Sequence, residues 1–254
     1  KRIKPFFALA YALFLISGIL MFWQSRQLFW YHMCSVALSG GMVKVIMGLN
    51  ETWMLEADGK HYGILRCFGA LGLTIGSPIA GWLSDTFGYF SLILTLSAVS
   101  TLVFFFVCLV HDVKKSGGTI HVASLKQLMK NIPYVLLVVI YLLVYMIGTA
   151  DQYVVVDKML DLGEPHAMVG IKWALQSFME VPLFLLSGKL LQKYKPSVLL
   201  IFGTLMYGVK FFLYAFVQSG FWIIGIASLQ LVTLPIIMLT SKILIKEVTP
   251  KGLF

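Results

Sequence analysis

Seven ionisable side chains lie within or at the ends of long apolar runs: Lys44, Glu51, Arg66, Asp151, Lys172, Glu180 and Lys210. A charge at the centre of a bilayer costs about 3 kcal/mol or more. Such residues therefore face a bundle interior or a watery cavity, pair with one another, and mark the paths of ions and solutes. Their chemistry is proton exchange at a carboxyl and charged hydrogen bonding to a polar solute. Glu180 and Lys210 are the deepest of the set. They belong to sequential antiparallel segments, and a lysine stem can cover the remaining offset by snorkelling. Glu51 and Arg66 form a second plausible pair across the 51–62 connection. Asp151 and Lys172 fall in or near outer thirds of their segments, and Lys44 and Lys172 are expected to snorkel to an interface. Trp173 lies one and a half to two turns from Glu180, where its ring could stack on a ligand. The competing reading of these ionisable residues is a set of structural ion pairs or interfacial anchors.

The elements that must position them follow from composition. Of 254 residues, 59% are hydrophobic and 12% charged, with a mean hydropathy of +0.88. Soluble domains carry about 45–50% apolar and about 25% charged residues, so the chain reads as a polytopic membrane protein. Apolar runs near the ~20 residues a bilayer requires recur at 5–23, 28–50, 63–83, 88–110, 133–155, 167–188, 197–217 and 221–245. The fold class is all-α, a helical membrane bundle.

The net charge of +9 sits mostly in short loops, where it reports topology and no nucleic-acid partner. Lys1, Arg2 and Lys4 place the first end in the cytoplasm. Lys60, the linker lysines 114, 115, 126 and 130, the 189–195 cluster, and Lys242, Lys246 and Lys251 then share that side. Arg26 and Lys158 face the other side with Asp85, Asp157, Asp161 and Glu164. This asymmetry predicts both ends cytoplasmic. The polar stretch 111–132 splits the chain into half-bundles at 1–110 and 133–254, with an amphipathic helix expected over 123–130.

Cys34, Cys67 and Cys108 lie in apolar runs without paired spacing, and the five histidines fall at span ends or in loops without metal spacing. No metal site, cofactor or phosphate-binding loop is expected, and no Ser-His-Asp arrangement supports an enzyme. Pro78, Pro182 and Pro235 are helix breakers tolerated where neighbours satisfy the freed carbonyls. Gly69, Gly72, Gly76 and Gly81 suggest a close-packing stripe on the third span. The chain opens at Lys1 without Met, which suggests an excerpt of a longer protein.

The sequence resembles the major facilitator superfamily, and within it the sugar–proton symporters near the lactose permeases. GKLLQKYKP at 188–196 is similar to the weaker copy of the family's G-x-L-x-D-R-x-G-R-K turn, and KRIK at 1–4 to the basic tail of the first copy. These matches and the linker number the spans as the third to tenth of twelve, with the first two and last two absent. GWLSDTFG at 81–88 also resembles that turn but carries no following basic residues. YGILRCFG at 62–69 is similar to the aromatic-Gly-x-x-Arg-x-aromatic-Gly pattern of the family's fifth helix.

The resemblance implies that Arg66 binds substrate and pairs with a carboxylate on the preceding helix, for which Glu51 is available. It implies that Glu180 is the eighth-helix carboxylate of the sugar–proton site, that Lys210 replaces a ninth-helix arginine, and that Asp151 is a seventh-helix acid. The tenth-helix His and Glu of lactose permeases are replaced by Gln230 and Thr233, which excludes proton coupling by that pair. The expected protein is a monomeric plasma-membrane transporter that moves a small polar solute, a sugar, by alternating access. Glu180 and Asp151 would couple it to protons, and Arg66, Glu51, Trp173 and Lys210 would bind the solute. An aromatic-acid or nucleoside permease is the alternative transporter, and a non-transporting membrane sensor or assembly paralogue the alternative from another class.

Overall fold

The computed structural model describes residues 2–24, 26, 28–58, 61–112 and 127–249. Residues 123–126 of the expected amphipathic helix, and Lys1, Lys60, Lys114, Lys115, Lys126 and Lys251, lie outside the described residues. Helices α1 (Lys4–Trp23), α2 (Phe29–Asp58), α3 (Tyr62–Phe87) and α4 (Phe90–Leu109) come first. Then follow α5 (Ile132–Gln152), α6 (Val154–Asp161), α7 (His166–Lys193), α8 (Pro196–Phe216), α9 (Gly220–Ala227) and α10 (Leu234–Val248). Eight helical stretches of the described residues are long and apolar enough to cross a membrane. They match the eight expected spans, so the chain is an all-α polytopic membrane bundle. Several helices run past the apolar limits; α2, for example, continues through Glu51 to Asp58.

Two spans are interrupted. The stretch Ile132–Asp161 breaks at Tyr153, where φ is −115° and ψ −60°. The stretch Gly220–Val248 passes through a 3₁₀ turn at Ser228–Val232 and an irregular Thr233 before α10 begins. Pro235 stands in the first turn of α10, where its missing N–H costs nothing. By contrast, α3 and α7 run helically through Pro78 and Pro182.

One compact unit holds α1, α2, α4 and the last turns of α3 from Trp82. Its core joins Ile3, Phe7 and Trp53, with the Phe7 and Trp53 rings edge to face at 5.8 Å. The start of α1 is tied to the end of α4. Asp112 Oδ1 accepts from the backbone N–H of Ile3 at 3.2 Å and of Lys4 at 3.1 Å. Lys4 Nζ donates to the carbonyls of Cys108 at 2.8 Å and Val110 at 3.1 Å. A carboxylate at a helix N-terminus and an ammonium at a C-terminus each suit the local helix dipole.

The second unit holds Gly63–Gly81 of α3 together with α5 to α10. Tyr141, Val144, Leu200, Tyr207, Ile237 and Leu244 form its largest buried apolar cluster, which joins α5, α8 and α10. Asn131 caps α5 through Tyr134 N–H and donates to the Val248 carbonyl at 2.8 Å, closing α5 onto the end of α10. Helices α3 and α7 pack antiparallel with their backbones in contact. A Cβ placed on Gly170 would meet Ser77 O at 2.5 Å, and one on Gly81 would meet Ala167 Cα at 2.9 Å. A Cβ on Gly63 would stand 3.1 Å from the Phe184 carbonyl oxygen, and Cys67 Sγ lies 3.9 Å from the carbonyl of Val181. This seam uses a different face from the expected glycine stripe. A Cβ on Gly72 or Gly76 would meet nothing within 4 Å, and of that stripe only Gly81 belongs to the seam. The α3 contact positions are spaced 4, 10 and 4 residues apart, which keeps them on one face of the helix.

Candidate functional site

On α7, Lys172, Gln176 and Glu180 are spaced four apart and share one face. Trp173 and Ser177 flank that face, and the rest of the helix is largely apolar. Asp151 reaches this face from the last turn of α5, just before the break at Tyr153, Lys210 from α8 and Gln230 from the 3₁₀ turn. All of these meet within the second unit.

Asp151 is the hub. Its Oδ1 accepts from Lys172 Nζ at 2.6 Å, and its Oδ2 from Lys210 Nζ at 2.8 Å and Gln176 Nε2 at 2.6 Å. Lys172 Nζ also donates to the Asp151 carbonyl at 3.2 Å and lies 3.9 Å from the centre of the Trp173 ring. Lys210 Nζ donates to Gln230 Oε1 at 2.9 Å, with the Tyr207 and Tyr214 rings at 5.8 and 5.5 Å. Gln230 Nε2 donates to Glu180 Oε1 at 3.0 Å. Both lysines are 0% exposed, Asp151 5% and Gln230 4%. A buried ammonium is tolerated only when its donors find acceptors and its charge a counter-charge, and here both conditions hold. The two carboxylates balance the two ammonium groups. Gln176 Oε1 is the one amide oxygen of the cluster that is buried without a partner.

The structure therefore brings four of the expected site residues together: Asp151, Trp173, Glu180 and Lys210. Glu180 and Lys210 do not pair directly. Lys210 is taken by Asp151, and the Gln230 amide fits between the two expected partners. Lys172 does not snorkel to an interface, because Asp151 and the Trp173 ring solvate its ammonium inside the bundle. Lys44 is exposed on α2.

Arg66 lies half-buried on α3 with its guanidinium 5.7 Å from the centre of the Phe184 ring, and its charge acts on Glu180. Glu51 sits on α2 in the first unit, where its carboxylate accepts a short hydrogen bond from the Tyr62 hydroxyl. Gln176 and the bridging part of Gln230 escaped the sequence reading. The four-residue spacing of Lys172, Gln176 and Glu180 was the available signal for Gln176; Gln230 offered none beyond standing, with Thr233, roughly where the resemblance expects a His and a Glu.

No curated protein and no solved structure matches the chain. A family model described as the MFS_1 like family matches residues 1–253. The matched region takes in every span and the whole charged cluster. The chain therefore belongs to the MFS_1 like family, within the major facilitator superfamily of membrane transporters.

Proposed function

We propose that the protein is a proton-coupled secondary transporter for a small polar solute, a sugar by the resemblance of its motifs. One observation carries this reading. In a buried, charge-balanced cluster beside two broken helices, Glu180 is the only charged group without a direct ion-pair partner. Discontinuous membrane helices supply solute and ion sites in transporters of several folds. Asp151 is held by three donors and anchors the positive charge, while Glu180 can gain or lose a proton without rupturing an ion pair. Protonation changes the charge of the cluster by one, and an alternating-access equilibrium moves only through such a difference between its two states.

In this proposal Arg66, Lys210 and Trp173, all of the second unit, contact the solute. The guanidinium and ammonium groups do so through charge-assisted hydrogen bonds to hydroxyls, and Trp173 by stacking of its half-buried ring. Asp151 shares the coupling as the counter-charge of Lys210. The two halves divide at the 111–132 linker, both ends face the cytoplasm, and the protein acts as a monomer in the plasma membrane.

The test is uptake of labelled sugars by cells expressing the full-length gene, with and without a proton gradient. Glu180→Gln should abolish accumulation and spare exchange. Uptake that ignores the gradient, or accumulation that survives the substitution, overturns the coupling role. The two fully buried lysines favour one second reading, an aromatic-acid or nucleoside permease; carboxylates and not sugars would then compete for uptake.

A further inference from the structure

An ammonium can only donate hydrogen bonds and a carboxylate can only accept them. A residue joining the two must carry an acceptor and a donor held apart in a fixed geometry. Gln230 meets this requirement and its amide orientation is forced: Oε1 must face Lys210 Nζ (2.9 Å) and Nε2 must face Glu180 Oε1 (3.0 Å). Thr233 Oγ1 at 3.4 Å and Gln176 Nε2 at 3.5 Å also point at that Oε1 and hold the amide from behind. Beyond Lys210 the contacts continue in series to Asp151, to Lys172 and to the Trp173 ring. The carboxyl that has no ion-pair partner is thus joined by an unbroken polar chain to a half-buried indole about two turns away on its own helix.

We propose that Gln230 is a positioning residue that transmits the charge state of Glu180 through Lys210, Asp151 and Lys172 to Trp173. The inference rests on the reading of Glu180 as the proton-accepting group. When Glu180 is ionised, its oxygen holds the amide, and the amide oxygen draws Lys210 away from an exclusive bond to Asp151. When Glu180 is neutral that hold weakens, Lys210 turns more fully to Asp151, and Asp151 releases part of its grip on Lys172 above the indole. The charged groups acting on Glu180 are Arg66 from α3 and Lys210 from α8; Asp151 from α5, Lys172 on α7, and Tyr207 and Tyr214 from α8 surround the next links of the chain, Lys210 and Asp151. The 3₁₀ turn itself contributes none.

The experiment reads Trp173 emission in the full-length protein purified in detergent, as the difference between each protein and the same protein with Trp173→Phe. Emission is followed from about pH 5 to about pH 9, a range that takes in the values documented for buried carboxyls in proteins. The wild type should show a transition in the Trp173 signal, and Glu180→Gln should abolish it. Gln230→Leu should abolish it as well although Glu180 is intact. Gln230→Asn keeps the amide but is one methylene shorter and withdraws it from its two partners, so it should lose the response even where the leucine variant folds poorly. A wild-type response in either folded Gln230 variant overturns the proposal. So does a response that survives Glu180→Gln, or a wild type whose Trp173 signal is flat. If the response behaves as stated but no solute is accumulated in cells, the link stands and the transport reading falls.

Discussion

Asp151 Oδ1 and Lys172 Nζ lie 2.6 Å apart, with the lysine wholly buried and the aspartate 5% exposed. The pair joins α5 at its break to the face of α7 that carries Glu180. Because Oδ2 of the same carboxylate also holds Lys210 at 2.8 Å, one side chain from α5 fixes cations from two other helices.

Asp151→Asn therefore leaves two buried ammonium groups without their common counter-charge. Removing one partner of a buried pair costs about 3–5 kcal/mol, so the variant should show a large drop in thermal unfolding midpoint in detergent. Adding Lys210→Met should recover part of the loss by restoring charge balance. An Asp151→Asn protein as stable as wild type would show that the triad is not held as described.

Glu180→Gln should behave differently. The new amide still offers an oxygen to Gln230 Nε2, no ion pair is lost, and the change should cost less than about 1.5 kcal/mol, the range of an ordinary hydrogen bond. The comparison to make is the melting midpoint of Glu180→Gln beside that of Asp151→Asn. Equal losses would make Glu180 a structural residue.

Exchanging the two groups offers a sharper check. Gln230→Glu alone sets a second carboxylate against Glu180 and should destabilise the protein. Combined with Glu180→Gln it restores one donor facing one acceptor, with Lys210 now facing a carboxylate. The double variant should melt above the Gln230→Glu single, a non-additivity expected only of residues in contact. Strictly additive midpoints would argue that the two side chains do not touch.

The α3–α7 seam makes a paired prediction about glycine. Gly170→Ala places a methyl 2.5 Å from the Ser77 carbonyl, and such overpacking costs about 1–3 kcal/mol. Gly72→Ala meets nothing within 4 Å and should be neutral or stabilising by up to about 1 kcal/mol through helix propensity. Unfolding midpoints of the two variants, measured side by side, should move in opposite directions or differ clearly in size.

The spans were legible because hydropathy is a sum over some twenty residues, and no single exception erases it. Glu180, Asp151 and Lys210 stood out because each is a charge in an apolar run. Lys172 was misread because its depth alone suggests an escape to the interface; the counter-charge that keeps it inside comes from another helix, distant in sequence. Gln176 and Gln230 are neutral and disturb hydropathy little, so their place in the cluster emerges only when α5, α7, α8 and the 3₁₀ turn are assembled. The close-packing face of α3 was misjudged for a related reason. Four glycines drew attention, yet the contact with α7 is made by Gly63, Cys67, Ser77 and Gly81, and small size alone does not say which face meets a partner.

The 3₁₀ turn at Ser228–Val232 has a rotational consequence for the last span. Five residues wound at three per turn instead of 3.6 advance the chain by roughly 100° beyond α-helical winding. The apolar faces before and after the turn therefore point in different directions. The side that α9 presents, centred on Ile223, joins the cluster of Val155, Met159 and Tyr214. The side that α10 presents, through Ile236 and Ile237, packs within 3.3 Å of where a Cβ on Gly203 of α8 would stand. The turn thus works as a phase setter with Gln230 at its pivot. Were the segment to rewind as a regular α-helix, α10 would swing Ile236 and Ile237 off α8, and the amide that bridges Glu180 and Lys210 would leave with them.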